Sequence, residues 1–295
     1  MSMKEIDKIC ETAIDENFGC LWEISSYIHS HPETAFHENN ACEKLTDFLW
    51  KQGFAVEKHM AGLPTAFKAV FNIGKGPRIA VLAEYDALPE LGHACGHNLI
   101  CTSALGAAIA VQKAMQAQGI QGSIEVYGTP TEEDGGGKII MLNNGVFDGL
   151  DAVFLMHPTS AMTRIGGECI SFTGKYITFQ GKSAHAESHP EEGSNAMDAA
   201  SLFHQALGVS RQQLPDDLHV CDVIRSISSD IGQIPSKAKL EVELSSPNSK
   251  HIQRGEAVVD RIAKGIAIAT GCTLETEDIS GYLGRIPNQV LGDVC

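Results

Sequence analysis

The sequence lacks several features that would point to common classes of protein. No uninterrupted apolar run approaches the roughly 18 residues that a membrane helix needs, and the acidic, amphipathic start, MSMKEIDKICETAIDEN, does not resemble a secretory signal. Positive charge is scarce, because 22 Lys and Arg residues stand against 37 Asp and Glu, for a net charge of −15. The basic stripe of a nucleic-acid binder is absent. We therefore expect a cytoplasmic protein with neither a membrane nor a nucleic-acid partner.

Paired cysteines and a serine nucleophile motif are also missing. The nine cysteines are scattered without a CxxC pair, which argues against a zinc ribbon and against a disulfide framework. We expect reduced and mostly buried thiols, with Cys95 as the exception. No GxSxG elbow occurs. With 43% apolar and 20% charged residues, the chain has the composition of a globular protein.

Residues 1–172 alternate between helical and strand-like patterns. Apolar spacing predicts helices over 5–29, 38–52, 99–117 and 136–144, and strands over 65–72, 79–85, 123–129 and 152–156. Apolar strands divided by helices are typical of a sheet that is covered by helices on both faces. The pattern predicts an α/β domain.

The pattern changes after residue 172. Strands are predicted over 174–181, 219–228, 233–243 and 273–280, with helices over 193–212 and 249–269. This βαββαβ order is that of a ferredoxin-like domain. We predict a second domain over 173–282, inserted after the first four strands, with 283–295 returning towards the first domain.

Residues of types that commonly bind metals occur in the segments that follow three of the predicted strands in the first domain. They are Asp86, Cys95 and His97 after the second strand, Glu132 and Glu133 after the third, and His157 after the fourth. Sites in open α/β sheets form at the carboxyl ends of strands. The sequence therefore predicts that these side chains meet at one edge of the sheet.

Each of these residues has an ordinary structural explanation when it is taken alone. A lone Cys is usually a small buried hydrophobe, two adjacent acids often begin a solvated helix, and a single His such as His157 is often a core or loop residue. The Cys-Gly-His sequence favours metal binding, because a thiolate and an imidazole two residues apart can reach one cation. Of the two adjacent acids, one could bind metal while the other takes a proton from water.

Four longer motifs identify a resemblance that runs over essentially the whole chain. YDALPELGHACGHN, TPTEEDGGGKI, FLMHP and GKSAHAESHPEEGSNAMDAA resemble motifs of the di-metal aminoacylase and carboxypeptidase superfamily, in its amidohydrolase branch. The residues of these motifs are most similar to those of Xaa-Arg or β-alanyl-lysine dipeptidases, within a branch that also includes aminobenzoyl-glutamate hydrolases. The resemblance implies a zinc-peptidase-like mixed sheet, an inserted ferredoxin-like lid that pairs two copies as a homodimer, and two divalent ions of zinc, manganese or cobalt.

The resemblance also implies a reaction and a role for each residue. The reaction is hydrolysis of an amide bond, in an N-acyl amino acid or a dipeptide, by a water that the two ions hold. The implied metal ligands are Cys95, His97, Glu133 and His157, with Glu132 as general base, Asp86 orienting a ligand histidine, and His185 contacting the substrate.

Two departures from the family pattern leave alternatives open. Relatives usually continue for roughly another hundred residues, which supply a late histidine ligand. Ser245 and Ser246 stand where an arginine for the substrate carboxylate is usual. One alternative is a truncated, inactive homologue that only binds or dimerises. Independently of these departures, Cys95 and His97 also allow a thiol hydrolase in which His97 activates Cys95 as the nucleophile.

Overall fold

The computed structural model describes residues 3–159, 163, 165, 166, 169–228, 230–286 and 288–294. The chain divides into two compact units, Met1–Met162 and Thr163–Cys295. Each unit has its own sheet and its own apolar core. Among the described residues, no helix is both long and apolar enough to cross a membrane.

The first unit contains five strands and five helices in its described residues. The strands are β1 (Ala55–Lys58), β2 (Phe67–Ile73), β3 (Arg78–Ala83), β4 (Gly122–Gly128) and β5 (Ala152–Phe154). The helices are α1 (Met3–Ser30), α2 (Asn39–Lys51), α3 (His97–Gln118), α4 (Glu132–Gly135) and α5 (Gly137–Asn143). All four predicted strands are present with shifted ends, whereas β1 and α4 were not predicted.

The sheet of the first unit has the order β1-β2-β4-β3-β5. β3 runs parallel to both β4 and β5, whereas β2 is antiparallel to its neighbours. The carboxyl ends of β3, β4 and β5 therefore lie at one edge. This arrangement brings together the three segments on which the sequence places metal-binding side chains.

Both faces of this sheet are covered. Because side chains alternate along a strand, Val126 joins a core cluster with Leu45, Leu49 and Leu105, while the next residue, Tyr127, joins a separate cluster on the other face. Burying one such aliphatic side chain stabilises the fold by about 1.5–3 kcal/mol. The predicted α/β sheet with helices on both faces is confirmed.

The second unit contains one antiparallel sheet. Its elements are β6 (Ser171–Gln180), α6 (Ala196–Ser210), β7 (His219–Ser228), β8 (Lys237–Ser246), α7 (Ser249–Thr270), β9 (Thr273–Tyr282) and α8 (Gln289–Val294). The strand order is β7-β8-β6-β9, and from β6 to β9 the elements follow the order βαββαβ. A single core joins the sheet to α6 and α7, with Phe179, Phe203 and Leu240 fully buried.

Two predicted boundaries in the second unit are wrong for identifiable reasons. α6 begins at Ala196 and not at 193, because the side chain of Asn195 accepts hydrogen bonds from the backbone of Met197 and Asp198 and caps the helix there. β8 begins at Lys237 and not at 233, since Pro235 cannot donate a ladder hydrogen bond.

The expectation of mostly buried cysteines is also wrong. Cys42, Cys101 and Cys272 are buried, whereas the others that the structure describes are exposed or intermediate, namely Cys10, Cys20, Cys95, Cys169 and Cys221. None of the described cysteines forms a disulfide, so reduced thiols are consistent with the fold.

Candidate metal centre

Five of the residues predicted as a site lie together at the carboxyl edge of the first sheet. The ligand atoms of Cys95, His97 and His157 all lie within 4.8 Å of one another, and so do those of His97, Glu132 and Glu133. The two groups share His97. The sequence has these residues on three separate segments, and the parallel pairing of β3 with β4 and β5 brings the segments to one place.

His97 is the buried centre of the cluster. It is the first residue of α3 and follows Gly96, whose φ of 85° is left-handed. A Cβ on Gly96 would also lie 3.0 Å from Cγ of Pro158, so the turn between Cys95 and His97 depends on glycine. The ring Nδ1 of His97 lies 2.7 Å from the backbone oxygen of Asp86, which leaves Nε2 to face the other acids.

Three carboxylates surround Nε2 of His97. Glu84 Oε2 lies at 3.5 Å, Glu133 Oε1 at 3.7 Å and Glu132 Oε2 at 3.8 Å. Burial lowers the pKa of His97, but the hydrogen bond and charge of Asp86, together with the charge of Glu84, outweigh burial and raise it above its ordinary value. The centre therefore attracts positive charge.

Cys95 is held as a thiol by this acidic environment. Burial, followed by the charge and hydrogen bond of Glu133, raises the pKa of Cys95 to about 11. Its Sγ lies 3.5 Å from Nε2 of His157, whose Nδ1 lies 2.7 Å from the backbone oxygen of Pro158. A reactive cysteine needs a lowered pKa, so this environment does not favour Cys95 as a nucleophile. A cation beside the sulfur would stabilise the thiolate.

Glu132 and Glu133 begin α4, directly after Thr131, a residue with a left-handed φ of 61°. The backbone N–H of Glu133 donates a hydrogen bond of 2.9 Å to Oδ2 of Asp86. Asp86 thus contacts both the ring of His97 and the turn that carries the two acids. Burial raises the pKa of Glu132 above its ordinary value. Its side chain is still 30% exposed, which leaves it accessible from solvent.

The described residues fit a metal ion. Buried side-chain atoms without a hydrogen-bond partner in this part of the chain include Glu84 Oε2, His97 Nε2 and Glu133 Oε1. A buried polar atom left without a partner costs about 1–3 kcal/mol. One or more cations would satisfy all three. Sulfur, nitrogen and carboxylate donors together suit zinc and also accept manganese or cobalt.

Glu84 is a member of the cluster that the sequence analysis missed. It lies just past the end of β3, is buried, and forms an ion pair with Lys138 of α5 through its Oε1. In the sequence it is only the polar end of the predicted strand 79–85. The available signal was an acidic residue inside the apolar stretch IAVLAEY, since a buried carboxylate requires a partner.

His185 belongs to the second unit. Its Nδ1 accepts hydrogen bonds from the backbone N–H groups of Glu187 and Ser188, at 3.3 and 3.2 Å. In the neutral ring the proton is therefore on Nε2, which can donate. Ser246, one of the two serines at the expected arginine position, is buried, and its hydroxyl donates to Asp217. That position has a structural role in this chain.

Comparison with known proteins gives consistent matches. A model of peptidase family M20/M25/M40 matches residues 80–294. A protein of Mus musculus named Xaa-Arg dipeptidase is 37% identical over 291 residues, which cover 94% of this chain and 67% of that protein. One of the subunits of the p-aminobenzoyl-glutamate hydrolase of Escherichia coli (strain K12) is 32% identical, covering 98% of this chain and 64% of its own length.

A solved structure supports the same architecture. A Bacillus subtilis protein, named as a dinuclear metal binding peptidase from the M20 family, superposes with a TM-score of 0.70 and 21% identity, covering 93% of this chain and 77% of that chain. At this level of identity the likeness establishes the fold.

Proposed function

Because the chain belongs to peptidase family M20/M25/M40, we propose that it is a metal-dependent hydrolase that cleaves the amide bond of an N-acyl amino acid or a dipeptide. One observation carries the proposal. Three buried atoms, Glu84 Oε2, His97 Nε2 and Glu133 Oε1, lie close together without a hydrogen-bond partner among the described residues. A protein that only binds or dimerises has no need of such a cluster.

The proposed cofactor is a pair of divalent ions, of zinc, manganese or cobalt. Cys95, His97, Glu133 and His157 would hold them, and the two overlapping groups that share His97 support a count of two. When bound, the ions supply Lewis acidity, which makes a water acidic and polarises the amide carbonyl. Since the Cys95 thiol must lose its proton on binding, affinity for the ions should rise with pH.

Glu132 is the proposed general base. It would accept a proton from the attacking water and then deliver that proton to the leaving nitrogen. Its carboxylate lies 3.8 Å from Nε2 of His97 and is partly exposed, so it can reach both the centre and a substrate. The raised pKa of Glu132 makes it a stronger base than an exposed carboxylate.

Asp86 is the proposed orienting residue. Its backbone oxygen lies 2.7 Å from His97 Nδ1, which fixes the ring with Nε2 facing the acids. Its carboxylate accepts the N–H of Glu133. Such contacts behind metal ligands fix ligand geometry and raise basicity.

The second unit is the proposed lid and dimerisation domain, over residues 173–282. His185 would donate from Nε2 to an oxygen of the substrate, as its Nδ1 acceptor contacts support. Pairing of two copies is supported by β7, an edge strand that exposes Val223, Ile224 and Ile227. Exposed apolar edge strands readily pair with a second chain. The oligomeric state in solution, measured by light scattering, tests this part of the proposal.

The names of two relatives support a proposal for the substrate class. One is a dipeptidase for peptides that end in arginine, and the other hydrolyses p-aminobenzoyl-glutamate. Both reactions cleave an amide next to a C-terminal amino acid. We propose the same class here, with a dipeptide that ends in a basic residue as the first candidate because the identity to the dipeptidase is higher.

The test combines metal analysis with a hydrolysis assay. The chain is dialysed against zinc or manganese, its bound metal is measured by elemental analysis, and hydrolysis of Xaa-Arg dipeptides and p-aminobenzoyl-glutamate is followed. We expect two ions per chain and activity that a chelator abolishes. Fewer than one ion, with no hydrolysis, would overturn the proposal. Activity that resists the chelator but disappears with iodoacetamide would support Cys95 as the nucleophile.

A further inference from the structure

Glu38 is a completely buried acid that lies just before α2, outside the metal centre. An acid at this position usually caps the helix that follows. In this protein Glu33 has that role, because its carboxylate accepts the backbone N–H of Asn40 at 3.1 Å and of Ala41 at 2.9 Å. The side chain of Glu38 makes no capping hydrogen bond to α2. Capping therefore does not explain why Glu38 is an acid.

The carboxylate of Glu38 joins three separate segments. Its Oε1 accepts the backbone N–H of Thr131 at 2.8 Å and that of Phe36 at 3.1 Å. Its Oε2 accepts the hydroxyl of Thr65 at 2.8 Å. Buried backbone N–H groups require an acceptor, and this one side chain supplies it in two places.

Both backbone groups on Oε1 belong to residues in a disfavoured conformation. Phe36 has a φ of 65° and Thr131 a φ of 61°, and they are two of the five non-glycine residues with positive φ in the described chain. Such conformations persist only where the surroundings impose them. Both side chains also lie against Gly135, because a Cβ on Gly135 would lie 2.7 Å from the Phe36 ring and 2.9 Å from Cγ2 of Thr131.

The turn that Glu38 fixes is the one that carries the proposed base and a proposed ligand. Thr131 directly precedes Glu132 and Glu133, and Asp86 binds the N–H of Glu133 at the other end of this short segment. The segment is thus held by one carboxylate at each end. Loss of either contact would let the two acids turn away from His97.

We propose that Glu38 is a positioning residue that sets Glu132 and Glu133 through the backbone of Thr131. This inference rests on the proposed function. The essential property is the location of Oε1, since the backbone N–H groups of Thr131 and Phe36 both require an acceptor at a fixed distance.

Two substitutions separate location from charge. Glu38→Asp keeps the charge but withdraws both oxygens by one methylene. Glu38→Gln removes the charge, keeps one oxygen at the same distance for the N–H groups of Thr131 and Phe36, and turns an amide NH2 towards the Thr65 hydroxyl, which can accept from it. Zinc affinity of the metal-free protein is measured by competition with a chromophoric chelator. We expect Glu38→Asp to lower the affinity at least about tenfold, the usual effect of losing a contact behind a metal ligand, and Glu38→Gln to lower it only a few-fold.

Glu33→Asp is the matched control, because it shortens the neighbouring acid that caps α2 and does not contact Thr131. It should lower the melting temperature without changing zinc affinity. Wild-type affinity in Glu38→Asp, equal losses in Glu38→Asp and Glu38→Gln, or an equal loss in Glu33→Asp would overturn the inference.

Thr65→Val gives a second route if Glu38→Asp does not fold. It removes the donor to Oε2 while keeping the side-chain shape, so zinc affinity should fall several-fold, and unchanged affinity would overturn the inference. If the wild-type chain itself binds no zinc, the proposed function fails first, and the inference that rests on it fails with it. The two failures are thereby distinguished.

Discussion

The two units of the molecule differ in whether all their buried polar side-chain atoms have hydrogen-bond partners. In the first unit, buried atoms of Glu84, His97 and Glu133 have no hydrogen-bond partner among the described residues. Among the described residues of the second unit, no fully buried side-chain nitrogen or oxygen lacks a hydrogen-bond partner, and the core consists of residues such as Phe179 and Phe203. The buried polar atoms of the second unit are satisfied within the fold, whereas the unpartnered atoms of the first unit could bind a cation. Buried polar atoms without hydrogen-bond partners are a local departure from the rules of stable folding, and such departures are expected at functional sites.

The largest expected effect concerns Glu132. In Glu132→Gln, turnover should fall by about 10²–10⁴, the usual contribution of general acid–base catalysis, because an amide cannot accept the proton of water. The number of ions per chain should remain that of the wild type. The measurements are kcat on the best substrate and elemental analysis. Retained turnover would remove Glu132 from this role, and lost metal would make it a ligand.

A core substitution in the second unit tests the other half of the comparison. Phe203 is fully buried against Phe179, with ring centroids 6.2 Å apart. Phe203→Ala should lower the free energy of unfolding by about 3–5 kcal/mol, measured by urea denaturation of the metal-free protein. Zinc affinity should not change, since this unit holds none of the proposed ligands. A large loss of affinity would contradict the separation of the two units.

Metal binding should act mainly on the first unit. At an ion concentration 100 times the dissociation constant, one site adds about 2.7 kcal/mol to the stability of the state that binds it. We expect zinc to slow hydrogen exchange in β3 and β4 of the metal-free protein and to leave β6 and β8 unchanged. Uniform protection of both units would show that the ion does not distinguish them.

Glu125 sharpens the comparison, because it is a buried acid of the first unit that has all its partners. It lies 2.8 Å from Arg78 and 3.3 Å from Lys68. Burial raises its pKa, but the hydrogen bonds from Arg78, Tyr127 and Ser123 lower it more, to about 2. We expect Glu125→Gln to lower the free energy of unfolding at pH 7 by about 1–3 kcal/mol, with no effect on zinc affinity.

The effect of Glu125 should depend on pH in a defined direction. Its folded pKa of about 2 lies below the roughly 4.3 of an unfolded chain. The carboxylate therefore stabilises the fold above the unfolded pKa, and this contribution is lost as the pH falls through the folded pKa. The difference between wild type and Glu125→Gln should shrink between about pH 5 and pH 2. A difference that stays constant over this range would contradict the assignment.

Long motifs and apolar patterns allowed much of this architecture to be predicted from the sequence. The four motifs identified the family, which the matches confirm. The strands predicted in the first domain are present, because continuous apolar runs such as IAVLAEY fit a strand that is buried on both faces. β1 was missed, since Ala55–Lys58 is only four residues long and largely exposed and therefore carries little pattern.

The site was predicted in part, for a physical reason. Cys95, His97, Glu132, Glu133 and His157 lie in recognisable motifs, and the parallel strands bring them together. Glu84 and Glu38 were missed because their importance depends on burial and on contacts with residues far along the chain. Glu38 binds the N–H of Thr131, 93 positions later. No local spacing rule contains that information.

The close approach of Pro158 to Gly96 has a consequence for libraries of variants. Two proposed ligands flank Gly96, and a third directly precedes Pro158. The space between the backbone at position 96 and the proline ring therefore affects the placement of all three ligands. Any larger side chain there would meet both the left-handed backbone and the proline ring, at 3.0 Å from its Cγ. Gly19 lies within α1 with nothing within 4 Å of an added Cβ. In saturation mutagenesis with selection for folded, zinc-binding protein, we expect only glycine to be accepted at position 96 and many residue types to be accepted at position 19.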